Sequence, residues 1–226
     1  MLSPLELWVW FADPATWEGR YGLINLLAEH MALTWLSILL AATIAVPIGV
    51  LVGHFSRGEV FVVLLSSASR AIPTMGLLFA LVMLFGITAR ELAVVLALTA
   101  IAVPPLLAGA YSGIMAIPKT IREAARAQGM THLQMIFHVE LPIASAAILG
   151  GLRVGFIQVV STVVLAPLVG LGGLGFGIIQ GLALRDFAQV TGSAAVIVVV
   201  TVFGDRLIGL VQKASSVRLN NKQETR

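Results

Sequence analysis

Side chains able to do chemistry are sparse in this 226-residue chain, and their spacing excludes most reactions. There is no cysteine, which removes thiol nucleophiles, disulfides and cysteine-held metals. The four histidines, at 30, 54, 132 and 138, sit near the borders of apolar runs without acidic partners at metal-ligand spacing. His132 and His138 read as surface residues of a loop. Gly170-Leu-Gly-Gly-Leu-Gly175 satisfies G-x-G-x-x-G, but it follows an apolar run rather than a soluble strand, and the first acidic residue after it is Asp186. A turn or re-entrant segment, in which glycines let chains approach closely, fits the context better than a dinucleotide site. The G-x-x-x-x-G-K-S/T phosphate cradle is missing from the sequence, so any use of ATP requires a second polypeptide.

Four ionisable residues lie inside apolar runs. Arg70 precedes Pro73 by one helical turn. Charge within a membrane is costly and usually faces protein or a water-filled path. Arg70 and Pro73 therefore mark either a translocation pathway or a helix break whose freed carbonyls the arginine satisfies. A positive charge there argues against direct contact with a cation. Arg153 pairs with a carboxylate or snorkels toward the headgroups, and Arg206 snorkels. Asp205 and Arg206 are adjacent and on a helix do not face each other.

The elements that hold these residues are membrane helices. Hydrophobic residues make up 58% of the chain and charged residues 11%, with a mean hydropathy of +0.99. A soluble chain of this length needs more charge to cover its surface. The net charge of +3 follows membrane topology rather than a nucleic-acid footprint, and nucleic acid is excluded as a partner. Residues 31–53, 60–86, 92–117, 142–169 and 190–211 are each apolar enough to span a bilayer. Five spans are expected in an all-α protein, or six if 60–86 breaks at Arg70–Pro73. Five spans place Arg57, Lys119, Arg122, Arg126, Lys213, Arg218, Lys222 and Arg226 on one side, and only Arg20, Arg90 and Arg185 on the other. The positive-inside rule then sets the N-terminus outside and the C-terminus inside. Residues 1–30 form an external segment, with an interfacial helix expected over about 17–30 beside the tryptophans at 8, 10 and 17. Residues 31–212 form the membrane domain and 213–226 a polar tail, mobile or membrane-associated.

The best-charged connection, 118–141, has legible local chemistry. Thr120-Ile-Arg-Glu123 and Thr131-His-Leu-Gln134 both fit the capping box, and Met130 and Met135 fit a hydrophobic staple around the second. Gly129 separates two short helices and tolerates a left-handed turn. Pro142 is expected to open the next span. Arg122 and Arg126 are expected on one face, Ala124 and Ala125 permit close approach, and Leu133, Ile136 and Phe137 form an apolar stripe. Such a hairpin is either a docking surface or a lid packed on its own spans.

Glu123-Ala124-Ala125-Arg-Ala-Gln-Gly129, followed by Leu141-Pro142, resembles the Glu-Ala-Ala loop of ABC importer permeases. Ser69-Arg-Ala-Ile-Pro73-Thr-Met-Gly-Leu-Leu and Leu168-Val-Gly-Leu-Gly-Gly-Leu-Gly175 are similar to segments of glycine betaine, carnitine and choline permeases. The resemblance implies a type I importer permease fold and a non-catalytic subunit that binds no cofactor of its own. It also implies ATP and Mg on two partner ATPases, an extracytoplasmic substrate-binding protein, a second permease copy or paralogue, and a bacterial inner membrane. By resemblance the coupling residues lie among Arg122, Glu123, Ala124, Ala125, Arg126, Gly129, Leu133, Ile136 and Phe137. Glu123 then either caps its helix or touches the ATPase. The spans offer phenylalanine but little tyrosine or tryptophan for an aromatic cage, so solute selection is expected on the binding protein. An amino-acid permease, for methionine among others, is the nearest alternative. An ion-coupled transporter is an alternative of another class, disfavoured by the scarcity of mid-span carboxylates and by the absence of a repeat; a membrane anchor or assembly factor without transport activity is a second.

Overall fold

A computed structural model describes residues 3–71 and 73–224, with the side chains of 66–71 and 217–224 outside the description. All regular structure among the described residues is helical. The amino-terminal segment holds α1 (Pro4–Ala12) and α2 (Pro14–Trp17). Ser3 and Glu6 close a capping box on α1, and Asp13 caps α2, each with proline in the first position. The interfacial helix expected over 17–30 does not form as one piece. Gly19 turns the chain at φ 89°, and α3 (Leu23–Phe55) starts four residues later and runs on through the first apolar run.

The expected 60–86 span is two helices, α4 (Glu59–Ala71) and α5 (Thr74–Phe85). Pro73 supplies no N–H and holds extended angles (φ −64°, ψ 113°), so it starts α5 instead of extending α4. At 13 and 12 residues, neither is long enough to cross a bilayer as a single helix. Arg70 belongs to α4, and its side chain lies outside the described residues. Beyond these come α6 (Arg90–Met115), α7 (Lys119–Ala127), α8 (His132–Met135), α9 (Leu141–Val163), α10 (Gly175–Leu184) and α11 (Phe187–Glu224). Among the described residues, four helical stretches are long and apolar enough to span a membrane: Leu23–Phe55, Ile87–Met115, His132–Val163 and Phe187–Ser216. Helix α11 continues through the polar segment from Lys213 to Glu224.

The contacts divide the chain into two compact units. One comprises Met1–Ile38, Ile72–Thr99 and Phe156–Gly204. Its centre is His30, fully buried in α3. His30 Nδ1 accepts from the Leu174 N–H (3.3 Å), so Nε2 carries the hydrogen and donates to the Val160 carbonyl (3.1 Å). The glycine-rich run beside it is a turn, with Gly170 and Gly173 at positive φ and Gly175 opening α10. A Cβ on Gly175 would sit 2.0 Å from the Val164 carbonyl oxygen, so backbone packing requires glycine there.

The second unit comprises Leu39–Ala71, Ala100–Gly155 and Asp205–Arg226. Here α6 and α9 meet backbone to backbone. A Cβ on Gly109 would lie 2.8 Å from the Ala147 carbonyl and 2.9 Å from the Gly151 Cα. Arg153 grips Asp205 through Nε and Nη2, both at 2.8 Å, which settles the pairing alternative for this arginine. Its Nη1 donates to Gln212.

Candidate functional site

The 118–141 connection folds as a helical hairpin within the second unit. Its first helix begins earlier than the Thr120 capping box requires. Pro118 occupies the N-cap with extended angles and no side-chain bond, and Lys119 is already helical. Thr120 and Glu123 therefore lie inside α7 and form no box. The helix ends in a full Schellman motif: the Gly129 N–H bonds the Arg126 carbonyl and the Met130 N–H bonds the Ala125 carbonyl. Gly129 has the left-handed φ of 76° that this motif needs. The second box does form, with Thr131 Oγ1 accepting from the Gln134 N–H and Gln134 Oε1 accepting from the Thr131 N–H.

The helix after this box runs directly into the next span, so Pro142 does not open a separate helix. A π-helical turn, Ile136–Glu140, joins α8 to α9, with the Leu141 N–H bonded to the Ile136 carbonyl. Pro142 lacks an N–H and its ring crowds the carbonyl four residues back. A wider turn just before it relieves both problems without breaking the helix.

Burial sorts the hairpin side chains into an inner and an outer set. Ala125 and Ile136 are buried, and Ile136 packs in a cluster with Val50, Ala110, Ile114, Ile117 and Ala144. Glu123, Ala124, Arg126 and Gly129 are exposed. Leu133 and Phe137 are large apolar residues 67% and 63% exposed. The expected apolar stripe thus keeps Leu133 and Phe137 and loses Ile136 to the core. Arg122 and Arg126 do not share a face. Arg122 turns inward, donates from Nη2 to the Ile114 carbonyl and sets Nε 3.3 Å from Glu140 Oε1.

Two residues that sequence reasoning passed over anchor this inner side. Glu140 is wholly buried and its Oε2 lies 2.7 Å from His54 Nδ1, at the end of α3. His54, itself 4% exposed, contacts His132 Nδ1 through Nε2 at 2.8 Å. The three groups are hydrogen-bonded head to tail, so the facing atoms are occupied with one another instead of converging on a shared point, and no metal-holding group occurs among the described residues. A carboxylate bordered by Val139 and Leu141 at the start of a span was the available signal.

A sequence family described as the binding-protein-dependent transport system inner membrane component matches residues 45–220. The chain belongs to this family. The permease is 31% identical over 200 residues to the choline transport system permease protein OpuBD of Bacillus subtilis (strain 168), covering 88% of this chain and 87% of that one. Against the glycine betaine/proline betaine transport system permease protein ProW of Escherichia coli (strain K12) it is 30% identical over 207 residues, 92% of this chain and 58% of that one. The carnitine transport permease protein OpuCB of Listeria monocytogenes is 26% identical over 195 residues, 86% of this chain and 88% of that one. Among solved structures, a chain of the MetNI methionine ABC transporter in an inward-facing conformation superposes with a TM-score of 0.73 at 21% identity, covering 95% of this chain and 99% of that one. At that identity the likeness shows the fold, which is the type I ABC importer permease fold expected from the sequence.

Proposed function

We propose that this permease forms the translocation pathway for a small quaternary ammonium solute, such as choline, carnitine or glycine betaine, and couples it to a separate ATPase. The observation that carries the solute class is the relatedness over most of the chain to permeases named for those solutes. The coupling role rests on the hairpin, whose outer side offers Glu123, Ala124, Arg126, Leu133 and Phe137 beside the Gly129 turn. An ordered, partly apolar, partly basic projection suits the groove of a partner subunit. Ala125, Arg122 and Ile136 support it from within.

The working assembly pairs two permease subunits, identical or paralogous, with two ATPases that hold ATP and Mg and with an external binding protein. It sits in the bacterial inner membrane with the N-terminus outside and the hairpin and C-terminus in the cytoplasm. Closure of the ATPase pair moves the spans between inward- and outward-facing states. Pro73, at the junction between α4 and α5, and Arg70 before it border the pathway. Two carboxylates within the long helices, Asp205 and Glu140, are already held by Arg153 and His54, which favours this reading over ion coupling through them.

Proteoliposomes containing the permease, the ATPase and the binding protein provide the test. Uptake of labelled choline or glycine betaine should require internal-face ATP and should not be competed by methionine. Uptake driven by a proton gradient and indifferent to ATP would refute the reading.

A further inference from the structure

Glu140 is unusual in being a fully buried carboxylate at the junction of the hairpin and a span. Each of its oxygens faces a different element. Oε2 meets His54 in the last turn of α3, and Oε1 faces Arg122 on α7. Both partners pass the connection on: Arg122 donates to the Ile114 carbonyl near the end of α6, and His54 contacts His132, the first residue of α8. An ionised carboxylate only accepts, so His54 Nδ1 carries the hydrogen. His54 Nε2 then accepts from His132 Nδ1–H or, if His54 is an imidazolium, donates to it. Either arrangement links α3, α6, α7 and the α8–α9 helix through one side chain.

Apolar side chains of the same volume would hold these elements together at least as stably, since burying charge is costly. What a charged, hydrogen-bonded cluster adds is direction and the high cost of letting go, because separation strands an unpaired buried charge. The neighbouring cluster of Val50, Ile114, Ile117 and Ile136 is apolar, and apolar contacts impose no direction. The hydrogen bonds of the polar cluster do.

We propose that Glu140 is a positioning residue for energy coupling: it locks the hairpin to the ends of α3, α6 and α9, so that a push on the exposed hairpin moves those helices as one body. The role rests on the coupling function proposed above, and it lies in transmission rather than in contact with ATPase or solute. Leu133 and Phe137 are where force enters; Glu140 is where it reaches the spans.

The test uses the full transporter in proteoliposomes and reads three quantities: co-purification of the ATPase, ATP hydrolysis stimulated by loaded binding protein, and solute transported per ATP hydrolysed. Glu140→Gln keeps the size and removes the charge. It should retain co-purification and keep hydrolysis within about twofold, while transport per ATP falls at least fivefold. A residue needed only for folding would lower all three together and leave the ratio unchanged. If Glu140→Gln does not assemble, Arg122→Met, which leaves the Glu140–His54 pair in place, carries the test with a threefold fall expected, and Arg122→Lys should recover half of it. A wild-type ratio in an assembled variant overturns the transmission role alone. Absence of ATP-driven uptake in the wild-type assembly overturns the coupling function and this role with it.

Discussion

His54 and Glu140 stand 86 residues apart in sequence and 2.7 Å apart in space, joined Nδ1 to Oε2 with both side chains buried. Removing one member of a buried pair leaves the other uncompensated, at about 3–5 kcal/mol. His54→Leu should therefore lower the thermal aggregation midpoint of the detergent-solubilised chain markedly. His54→Gln retains an amide donor for Glu140 and should cost much less. Equal midpoints for the two variants would show that the hydrogen bond contributes nothing and that only volume matters there.

Burial on the hairpin separates docking from folding. Leu133 and Phe137 are exposed, whereas Ile136 between them is 6% exposed and packed in the core. Leu133→Asp and Phe137→Asp should yield stable, monodisperse permease that no longer co-purifies with the ATPase. Ile136→Asp should instead lower the yield of folded protein, since it buries a charge without a partner. Size-exclusion profiles and pull-down stoichiometry distinguish these outcomes. ATPase retention by both surface variants would move the docking surface elsewhere.

Gly129 offers a purely conformational experiment. A Cβ there would meet nothing within 4 Å, so any cost of substitution comes from the φ of 76° alone. A left-handed residue other than glycine costs about 1–2 kcal/mol, and asparagine less than alanine. Coupled uptake should therefore rank Gly129 above Gly129→Asn, then Gly129→Ala. Gly129→Pro cannot adopt this φ and loses the N–H bonded to the Arg126 carbonyl, so it should abolish coupling while leaving membrane insertion intact. Uptake unaffected by Gly129→Pro would mean that the Schellman turn has no part in coupling.

What the sequence showed best was whatever depends on neighbours along the chain. The Thr131–Gln134 capping box and the left-handed Gly129 are local patterns, and both appear as expected. The long apolar helices are compositional and equally legible. The Thr120 box does not form because two starts compete two residues apart, and Pro118 takes the earlier one. Ile136 and Arg122 were assigned outward because helical spacing gives relative direction within a helix but not which side faces the core. Glu140 and His54 were invisible for a different reason. Their meaning lies in a long-range pairing, and one sequence carries no signal for partners 86 residues apart.

The glycine-rich turn supplies the sharpest packing prediction, because two of its glycines face different obstacles. A Cβ on Gly172 would lie 1.5 Å from Oε2 of Glu29, the end of an exposed side chain that can rotate away. A Cβ on Gly175 would lie 2.0 Å from the Val164 carbonyl oxygen, and backbone has no such freedom. Overpacking of that kind forces backbone shifts costing about 1–3 kcal/mol or more. Gly172→Ala should thus leave the folded yield in detergent close to that of the unaltered permease, and Gly175→Ala should reduce it several-fold. Because the Gly175 contact lies in the unit that also holds His30, the loss should be accompanied by proteolysis near Leu174, whose N–H the histidine accepts. Comparable yields for the two variants would mean that the turn yields as easily at its backbone as at a glutamate side chain.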